Sequence, residues 1–375
     1  MKDLKELRDQ IDVIDRQIVD LYQERMEIAA GVAEYKINTG KKVFDKERED
    51  SKLATLTALG KTDFNKHGIR ELFEQIMSMS RKRQYQLLTA HGMYEKPDFT
   101  EVESLDYHNA RIVFQGTEGA YSQLALREYF GEQTDSYHVE TWRDAMEAIK
   151  NGEADYAVLP IENSSAGIVS ENYDLMVEYD NCIVGEQIIQ INHALLGLPD
   201  AELSDITDVY SHPQALMQCS IFLNDNGLKQ ISVENTAVAA KRVVKEGDKS
   251  QAAIASEIAG QLYGLELLKP SIQNNQGNTT RFVILANRKV YQKAAGKISL
   301  CFELPHTSGS LYNMLGNFIF NHVNMIMIES RPIPGKNWEY RFFVDIEGNL
   351  QDAGVQNALR GIGTEAQNFK ILGNY

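Results

Sequence analysis

Apolar residues recur at alternating steps of three and four along the start of the chain. The seam contains Leu4, Leu7, Ile11, Ile14, Ile18, Leu21, Ile28, Val32 and Tyr35, with Arg25 between Leu21 and Ile28. This period predicts one long amphipathic helix over residues 3–38. Two shorter helical patterns follow at 45–59 and 67–89, so residues 1–90 are predicted to form an all-helical unit. The first helix spans about 54 Å, too long for 90 residues to cover, so a second copy of the chain is expected to complete the seam.

The hydrophobic pattern changes twice further along the chain. Residues 91–110 contain Gly, Pro and acidic residues that break all periodicity, which predicts a linker. Over 111–290 short apolar runs alternate with helical patterns, which predicts an α/β domain with open, largely parallel sheets. Over 297–375 the order strand, helix, strand, strand, helix, strand predicts a small α+β unit of ferredoxin-like type. The chain is therefore expected to be a multidomain protein.

Composition and charge restrict the class of protein. The 375 residues are 43% hydrophobic and 24% charged, as in soluble globular proteins. No stretch approaches about 18 continuous apolar residues, and the N-terminus is charged, so we expect no membrane span, no secretory signal and a cytoplasmic location. Residues 1–90 carry 17 basic and 16 acidic side chains, a net charge of +1. Because the whole chain has a net charge of −15, the remaining residues have a net charge of −16. Such an acidic body is expected to repel nucleic acid and anionic membranes.

Three cysteines, Cys182, Cys219 and Cys301, are far apart in the sequence. They form no CxxC motif and no Cys/His cluster, which argues against structural zinc and against a disulfide framework. We therefore expect no metal, and we interpret the cysteines as small core residues.

Arg25 is a cation at a position where the seam calls for an apolar residue. A buried unpaired charge costs several kcal/mol, so this arginine needs either an acidic partner or a ligand anion. At about 100° per residue, Lys36 returns to within about 20° of Arg25, whereas Arg8 points about 100° away. One helix therefore offers two cations to the same side and a third cation to another.

The two shorter helical patterns add polar residues at spacings of three and four. These are Asp45, Arg48 and Glu49 on the second helix and Ser80 and Gln84 on the third. Two interpretations remain open from the pattern alone. The residues form either a polar pocket for an anion or a surface salt-bridge network beside a coiled-coil seam, in which Arg25 fixes the register.

Four segments together resemble the all-helical class of chorismate mutase. They are LRDQID at 7–12, ERMEIAAGVAEYK at 24–36, DKERE at 45–49 and SRKRQ at 80–84. The resemblance implies that Arg25 and Arg48 bind substrate, Asp45 and Glu49 hold its hydroxyl region, Lys36 and Gln84 address its ether oxygen, Ser80 lies alongside, and Arg8 reaches a partner subunit's site. The implied reaction, chorismate to prephenate, is a pericyclic rearrangement that needs an oriented dianion and stabilised charge on the breaking C–O bond.

Two polar loops in the α/β region follow predicted strands. The segment AVLPIENSSAGIVSENYDLM at 157–176 predicts a strand, a loop with Asn163, Ser164 and Ser165, and a helix beginning near Ser170. Backbone N–H groups at such a helix start form an anion receptor. The loop FQGTEGAYSQLA at 114–125 repeats the arrangement without a GxGxxG pattern. Each loop taken alone is also compatible with ordinary turn chemistry.

The α/β region also resembles prephenate dehydratase in four motifs that occur in the same order. After the two loops come SHPQAL at 211–216, with His212 and Gln214, and NTTRFVIL at 278–285, with the Thr-Arg-Phe triplet. The resemblance implies two α/β subdomains with the site in the cleft between them. It further implies Thr280 as proton donor, Asn163, Ser165 and Gln214 as substrate contacts and Arg281 as a carboxylate anchor. Glu162 is a second candidate for proton supply.

The C-terminal segment resembles an ACT regulatory domain. The motif IESRP at 328–332 is similar to the phenylalanine-binding motif of dehydratase enzymes, and a companion loop precedes it at 309–312. The implied allosteric site contains Gly309, Ser310, Leu311, Tyr312, Glu329, Ser330, Arg331 and Pro332. Tyr312 is larger than the usual valine and changes the expected pocket volume.

These resemblances together imply a bifunctional enzyme of phenylalanine biosynthesis that converts chorismate to prephenate and then to phenylpyruvate. It is expected to need no cofactor, to be inhibited by phenylalanine, and to form a homodimer or higher homo-oligomer. Two rival hypotheses remain. In one the α/β fold only senses an amino acid, and in the other residues 1–90 are an inactive dimerisation coiled coil.

Overall fold

The computed structural model describes residues 3–93 and 97–375 of the chain. It forms two compact units, one of which joins the N-terminal residues up to Asp98 with Gly296–Ile371. The other joins Phe99–Ala295 with Leu372–Tyr375. The sequence predicted separate N-terminal and C-terminal domains, whereas the structure packs them together as one unit. Residues 94–96 of the predicted linker lie outside the described residues.

Three helices confirm the helical prediction for the N-terminal region. They are α1 (Leu4–Thr39), α2 (Lys46–Thr57) and α3 (Asp63–Ala90). Helix α1 ends at Gly40, whose φ of 68° is a left-handed conformation that glycine adopts without strain. Helices α2 and α3 are preceded by Asp45 and Thr62, whose side chains accept backbone N–H groups of the first turn. These three boundaries thus follow from local capping chemistry.

The apolar seam of α1 lies open in this single chain. Leu21 is 64% exposed and Ile28 is 63% exposed. Ala29 and Ala33, on another face of α1, are buried, and α1 packs against α3. Helix α1 therefore has two apolar faces, one that meets α3 and one that faces outward.

The second compact unit consists of alternating strands and helices. Its strands are β1 (Thr100–Val102), β2 (Arg111–Gln115), β3 (Asp135–Val139), β4 (Tyr156–Asn163), β5 (Gly167–Ile168), β6 (Cys182–Gln190), β7 (Ala194–Gly197), β8 (Asp208–Ser211), β9 (Lys229–Ser232), β10 (Gln251–Ala255), β11 (Glu266–Lys269), β12 (Thr279–Ala286) and β13 (Val290–Gln292). Its helices are α4 (Tyr121–Phe130), α5 (Trp142–Lys150), α6 (Ser170–Glu178), α7 (Pro213–Gln218), α8 (Ser220–Asp225), α9 (Thr236–Glu246) and α10 (Glu257–Tyr263).

Two sheets of this unit carry the predicted pair of subdomains. One has the strand order β6-β12-β4-β2-β3 and the other β11-β7-β10-β8-β9. Both are mixed, so the prediction of largely parallel sheets was wrong. The reason is that β12 returns from the second sheet and runs antiparallel between β4 and β6, while β7 runs antiparallel to β10 and β11. The chain crosses between the sheets at 191–193 and 270–278.

Part of the segment predicted as a linker is folded onto this unit. Strand β1 pairs in parallel with β13, and Leu105 and Ala110 are buried in the core beside β2 and β4. These apolar residues are spaced irregularly within a polar segment, so the sequence showed no hydrophobic period there. Leu105 and Ala110 are nevertheless buried in the core. Cys182, Cys219 and Cys301 are buried as well, which confirms their interpretation as core residues.

The C-terminal elements follow the predicted order. They are β14 (Lys297–Glu303), α11 (Ser310–Ile319), β15 (Met325–Pro332), β16 (Tyr340–Glu347), α12 (Ala353–Glu365) and β17 (Gln367–Asn374). The strand order is β15-β16-β14-β17, the arrangement of a ferredoxin-like unit. Helices α11 and α12 pack against α3 of the N-terminal region, so each end of the chain covers apolar surface of the other.

Candidate active sites

A cluster of charged side chains lies where α1, α2 and α3 meet. Arg25 and Lys36 flank the buried Ala29 and Ala33 on the inner face of α1. Spacings of three and four place these positions on one helical face. The two alanines are small and let α3 approach closely, so both cations stand beside the packed helices rather than in open solvent.

Arg25 contains a buried nitrogen atom with nothing to donate to. Its Nη1 is buried and has no hydrogen-bond partner among the described residues. Burial lowers the pKa of Arg25, while the charges of Glu49 and Tyr22 act in the opposite direction. An unsatisfied buried guanidinium donor is costly unless a ligand supplies the acceptor. Arg25 is therefore arranged to receive an anion.

Lys36 reaches from α1 toward α3 and the start of α2. Its Nζ donates to the Val43 carbonyl at 2.8 Å and to Gln84 Oε1 at 3.1 Å. Because Gln84 Oε1 accepts from the ammonium, the amide NH₂ group of Gln84 is left to donate elsewhere. Burial lowers the pKa of Lys36, and nearby Arg48 lowers it further, while Asp45 and Glu49 oppose them. The structure thus brings Lys36 together with the predicted residues of α2 and α3.

Residues of α2 have structural partners as well as predicted substrate roles. Asp45 Oδ1 accepts the backbone N–H of Arg48 at 3.1 Å and thereby caps α2. The carboxylate of Glu49 is bonded to the guanidinium of Arg81 on α3. Arg81 lies inside the quoted SRKRQ motif, but sequence reasoning gave it no role. Its partners are distant in sequence, so no local pattern could identify it.

Ser80 and Arg8 occupy different environments. Ser80 is buried on α3, one turn before the similarly buried Gln84. Arg8 is exposed on α1, and at 1.5 Å per residue it lies about 25 Å along the helix from Arg25. The structure therefore brings Ser80 to the cluster but does not bring Arg8 there within one chain.

The second candidate site lies where β4 and β12 pair. Thr280 is opposite Asn163 in the ladder, and Asn163 Nδ2 donates to Thr280 Oγ1 at 2.9 Å. The same amide contacts Asn278 Oδ1 at 2.8 Å. Asn278 is 1% exposed, and its Nδ2 has no hydrogen-bond partner among the described residues. Asn278 went unrecognised as a site residue, although it begins the quoted NTTRFVIL segment.

The loop after β4 is ordered by Asn163 itself. Asn163 Oδ1 accepts the backbone N–H groups of Ser165 and Ala166 at 3.0 and 2.9 Å. The sequence predicted that backbone N–H groups of this loop would bind an anion. The N–H groups of Ser165 and Ala166 are instead used by Asn163. Helix α6 begins at Ser170 as predicted. The side chain of Asn163 is held on both its oxygen and its nitrogen, which fixes its orientation toward Thr280.

Arg281 and Thr280 are neighbours in a strand, so their side chains point to opposite faces. Arg281 Nε donates to Glu186 at 2.8 Å, and its Nη2 donates to the Tyr375 hydroxyl at 2.7 Å. Glu162, the second candidate proton source, lies 3.8 Å from Arg281 Nη1. Arg281 and Glu162 pair with each other on the face opposite Thr280, and the anchoring role of Arg281 stays a prediction.

Gln214 lies in the other subdomain. It lies in the first turn of α7, where His212 Nδ1 accepts its backbone N–H at 3.3 Å. Burial lowers the pKa of His212, which favours the neutral ring that this acceptor role requires. Within residues 97–375 no hydrogen bond joins Gln214 to Asn163 or Thr280, so its substrate contact stays a prediction.

A cavity of about 360 Å³ opens at the start of α11. Its walls are Leu304, Pro305, His306, Thr307, Gly309, Ser310, Leu311, Tyr312, Glu339, Tyr340 and Phe342. All four residues of the predicted loop 309–312 are therefore present. The segment 329–332 lies in β15, beyond β16, where Pro332 pairs with Tyr340. The structure brings the loop to the cavity but leaves the segment one strand away.

Within residues 3–93 and 97–375, no group of three or more His, Cys, Asp and Glu side chains is placed to hold a metal ion. In the same part of the chain, every helix is too short or too polar to cross a bilayer.

Comparisons with known proteins match the two regions in which the candidate sites lie. The family model for chorismate mutase type II matches residues 7–85, and that for prephenate dehydratase matches residues 112–290. Among solved structures, GqqA, described as a novel type of quorum quenching acylase, is 33% identical with a TM-score of 0.66, over 71% of this chain and 97% of that chain. Prephenate dehydratase from Arthrobacter aurescens in complex with L-Phe is 28% identical with a TM-score of 0.65, over 71% and 89%.

A curated relative covers both matched regions at once. The bifunctional chorismate mutase/prephenate dehydratase of Enterobacter agglomerans is 36% identical over 379 aligned positions, which include 98% of this chain and 95% of that protein. One alignment spans the helical, α/β and C-terminal regions. By this likeness and the two family models, the chain belongs to the family of bifunctional chorismate mutase/prephenate dehydratases, and it carries an enzyme domain of each kind.

Proposed function

We propose that the chain converts chorismate to prephenate at the α1–α3 cluster and prephenate to phenylpyruvate at the Asn163–Thr280 site. The observation that carries the first assignment is the buried, unsatisfied Nη1 of Arg25. In a helix that served only for dimerisation, a buried donor without an acceptor would lower stability and bring no benefit. The second assignment is supported by the hydrogen bond from Asn163 to Thr280, within a region matched to prephenate dehydratase.

At the helical cluster the protein orients its substrate and needs no nucleophile. Arg25 and Arg48 are proposed to bind the carboxylates, because guanidinium groups match carboxylates in two parallel hydrogen bonds. Lys36 and the NH₂ group of Gln84 are proposed to donate to the ether oxygen. Charge grows on that oxygen as the C–O bond breaks, so these bonds strengthen in the transition state.

The remaining residues of the cluster complete the substrate contacts. Asp45 and Glu49 are proposed to accept from the substrate hydroxyl, with Ser80 alongside. Arg8 is proposed to enter the site of a second copy. The open seam of α1 supports this, since exposed Leu21 and Ile28 would be buried against the same seam of a partner. We propose a homodimer or higher homo-oligomer on this basis.

At the second site Thr280 is proposed to protonate the departing hydroxide. Because Asn163 donates to Thr280 Oγ1, the hydroxyl hydrogen of Thr280 is directed to another acceptor. As the bond between the ring and its carboxylate breaks, carbon dioxide leaves, and the electron pair of that bond completes the aromatic ring and expels hydroxide, which takes the proton and leaves as water. Solvent then reprotonates Thr280. Aromatisation supplies a large driving force, so a weak acid suffices. Ser165 and Gln214 are proposed to contact the substrate.

Residues 297–375 are proposed to form an ACT domain that binds phenylalanine as feedback inhibitor. The cavity at α11, lined by Gly309–Tyr312, has a volume in the range of small-molecule sites. Glu329, Ser330, Arg331 and Pro332 are proposed to contribute from β15 at a subunit interface. Phenylalanine acts only if it binds one arrangement of the enzyme better than another.

One experiment tests both activities. Purified protein is given chorismate alone, and phenylpyruvate is detected by its alkaline absorbance. Phenylpyruvate forms only if both reactions occur, and prephenate alone accumulates if only the mutase is active. A folded protein that leaves chorismate unchanged but binds phenylalanine refutes the proposal in favour of an amino-acid sensor.

A further inference from the structure

Arg81 on α3 joins the helical cluster to the last turn of α12. Its guanidinium donates to the Glu49 carboxylate and, at 2.9 Å, to Glu365 Oε1. The Arg81 side chain is 13% exposed, and those of Glu49 and Glu365 are 21% and 18% exposed. Three ionised groups thus share one little-hydrated position, where each depends on the others for neutralisation.

The surroundings hold Arg81 in this bridging position. Its guanidinium carbon lies 4.9 Å from the centre of the Phe44 ring, which restricts the planar group to one orientation. Glu365 Oε2 accepts from Asn317 of α11 at 3.4 Å. Burial by itself lowers the pKa of Arg81, but Glu365 and Glu49 outweigh it and hold the pKa above its usual range. The guanidinium stays charged and fixed between its two carboxylates.

We propose that Arg81 is a positioning residue of the mutase, which holds Glu49 away from Arg25, and that α12 supplies Glu365 to complete this arrangement. This inference rests on the proposed mutase function. The charge of Glu49 already acts on Arg25. Without Arg81, Glu49 is left with the cations Arg25 and Lys36, and it competes with a substrate carboxylate for Arg25. Residues 297–375 would then contribute to the mutase site through Glu365, in addition to their proposed role in phenylalanine regulation.

The test compares Arg81→Met with Arg83→Met in the full-length protein. Arg83 is exposed two positions further along α3, so it controls for loss of a positive charge. We expect Arg81→Met to lower kcat/KM for chorismate about tenfold, mainly through KM, which equals about 1.4 kcal/mol of transition-state binding. Arg83→Met stays within twofold. Arg81→Lys should recover part of the loss, since one ammonium cannot bond two carboxylates as a planar fork does.

A double-mutant cycle separates positioning from a general effect on folding. In a Glu49→Gln background, Arg81→Met should change kcat/KM by less than about twofold, because the group it positions is already neutral. Glu365→Gln should give a smaller loss than Arg81→Met. Turnover of added prephenate on the same variants reports whether the α/β unit remains folded, and it should not change.

The outcomes distinguish this inference from the proposed function. Wild-type mutase activity with equal activity in Arg81→Met overturns the positioning role alone. A tenfold loss that persists in full in the Glu49→Gln background also overturns it, since Arg81 then acts through another group. A wild-type protein that does not convert chorismate overturns both.

Discussion

Lys82 is a buried lysine on α3 in contact with α11. It is 6% exposed, and its Nζ lies 4.1 Å from the centre of the Phe320 ring. Burial lowers the pKa of Lys82 from 10.5 to about 8, with Glu365 opposing the shift and Arg81 adding to it. At neutral pH the folded protein therefore carries a charged group in a place that disfavours charge.

The cost follows from the pKa change between the unfolded and folded states. A drop from 10.5 to about 8 corresponds to roughly 3 kcal/mol of lost stability at pH 7. Screening by solvent at the edge of this contact reduces the expected value to about 2 kcal/mol. Between pH 8 and pH 10.5 the unfolded state binds more protons than the folded state. Wild-type stability therefore gains this contribution as pH rises through that window.

Lys82→Met should remove the cost while keeping a flexible side chain against Phe320. We expect the free energy of unfolding to rise by about 2 kcal/mol at pH 7 and the gain to shrink toward zero near pH 10.5. Urea denaturation at both pH values, followed by circular dichroism of the helices, measures this. Lys52→Met, at an exposed position of α2, is the matched control and should change little. An equal gain at both pH values would refute the reasoning, because the effect would then be packing alone.

Substitutions at four further positions test the sites. Arg25→Ala should lower kcat/KM for chorismate by about 100-fold or more without unfolding α1, since a desolvated carboxylate contact is worth roughly 3 kcal/mol; a lower unfolding temperature with unchanged activity would mark Arg25 as structural. Thr280→Ala should abolish phenylpyruvate formation from prephenate and leave mutase activity intact. Thr280→Ser should retain part of the phenylpyruvate formation, because the hydroxyl remains. Full dehydratase activity in Thr280→Ala would show that another group donates the proton. Tyr312→Val should lower the phenylalanine concentration that half-inhibits the dehydratase about threefold, as measured by titration. Tyr312 lines the cavity and is 67% exposed, so a smaller side chain leaves more room for the ligand. Arg281→Met should lower the unfolding temperature and leave KM for prephenate within about twofold, because Glu186 loses its contact with the guanidinium. A tenfold rise in KM would instead support the anchoring role.

Local sequence patterns predicted most of the elements and the candidate site residues. The period of the apolar residues predicted α1, α2 and α3, and caps at Asp45 and Thr62 set where helices begin. Arg25 was identifiable because a cation in an apolar seam requires an explanation. Thr280 and Asn163 were identifiable through the family motifs around them. These features depend on residues a few positions apart, so the sequence displays them directly.

Contacts between distant segments could be decided only by the tertiary structure. The pairing of Arg81 with Glu365 joins residues 284 positions apart, and the position of Asn278 beside Asn163 depends on β12 returning between β4 and β6. The bond from Arg281 to Tyr375 likewise joins residues 94 positions apart, which the motif around Arg281 could not predict. Hydrophobic period specifies which face of an element is buried, whereas the partner of that face depends on the packing of the whole chain. That is why the sequence predicted three separate domains and the fold joined the first to the last.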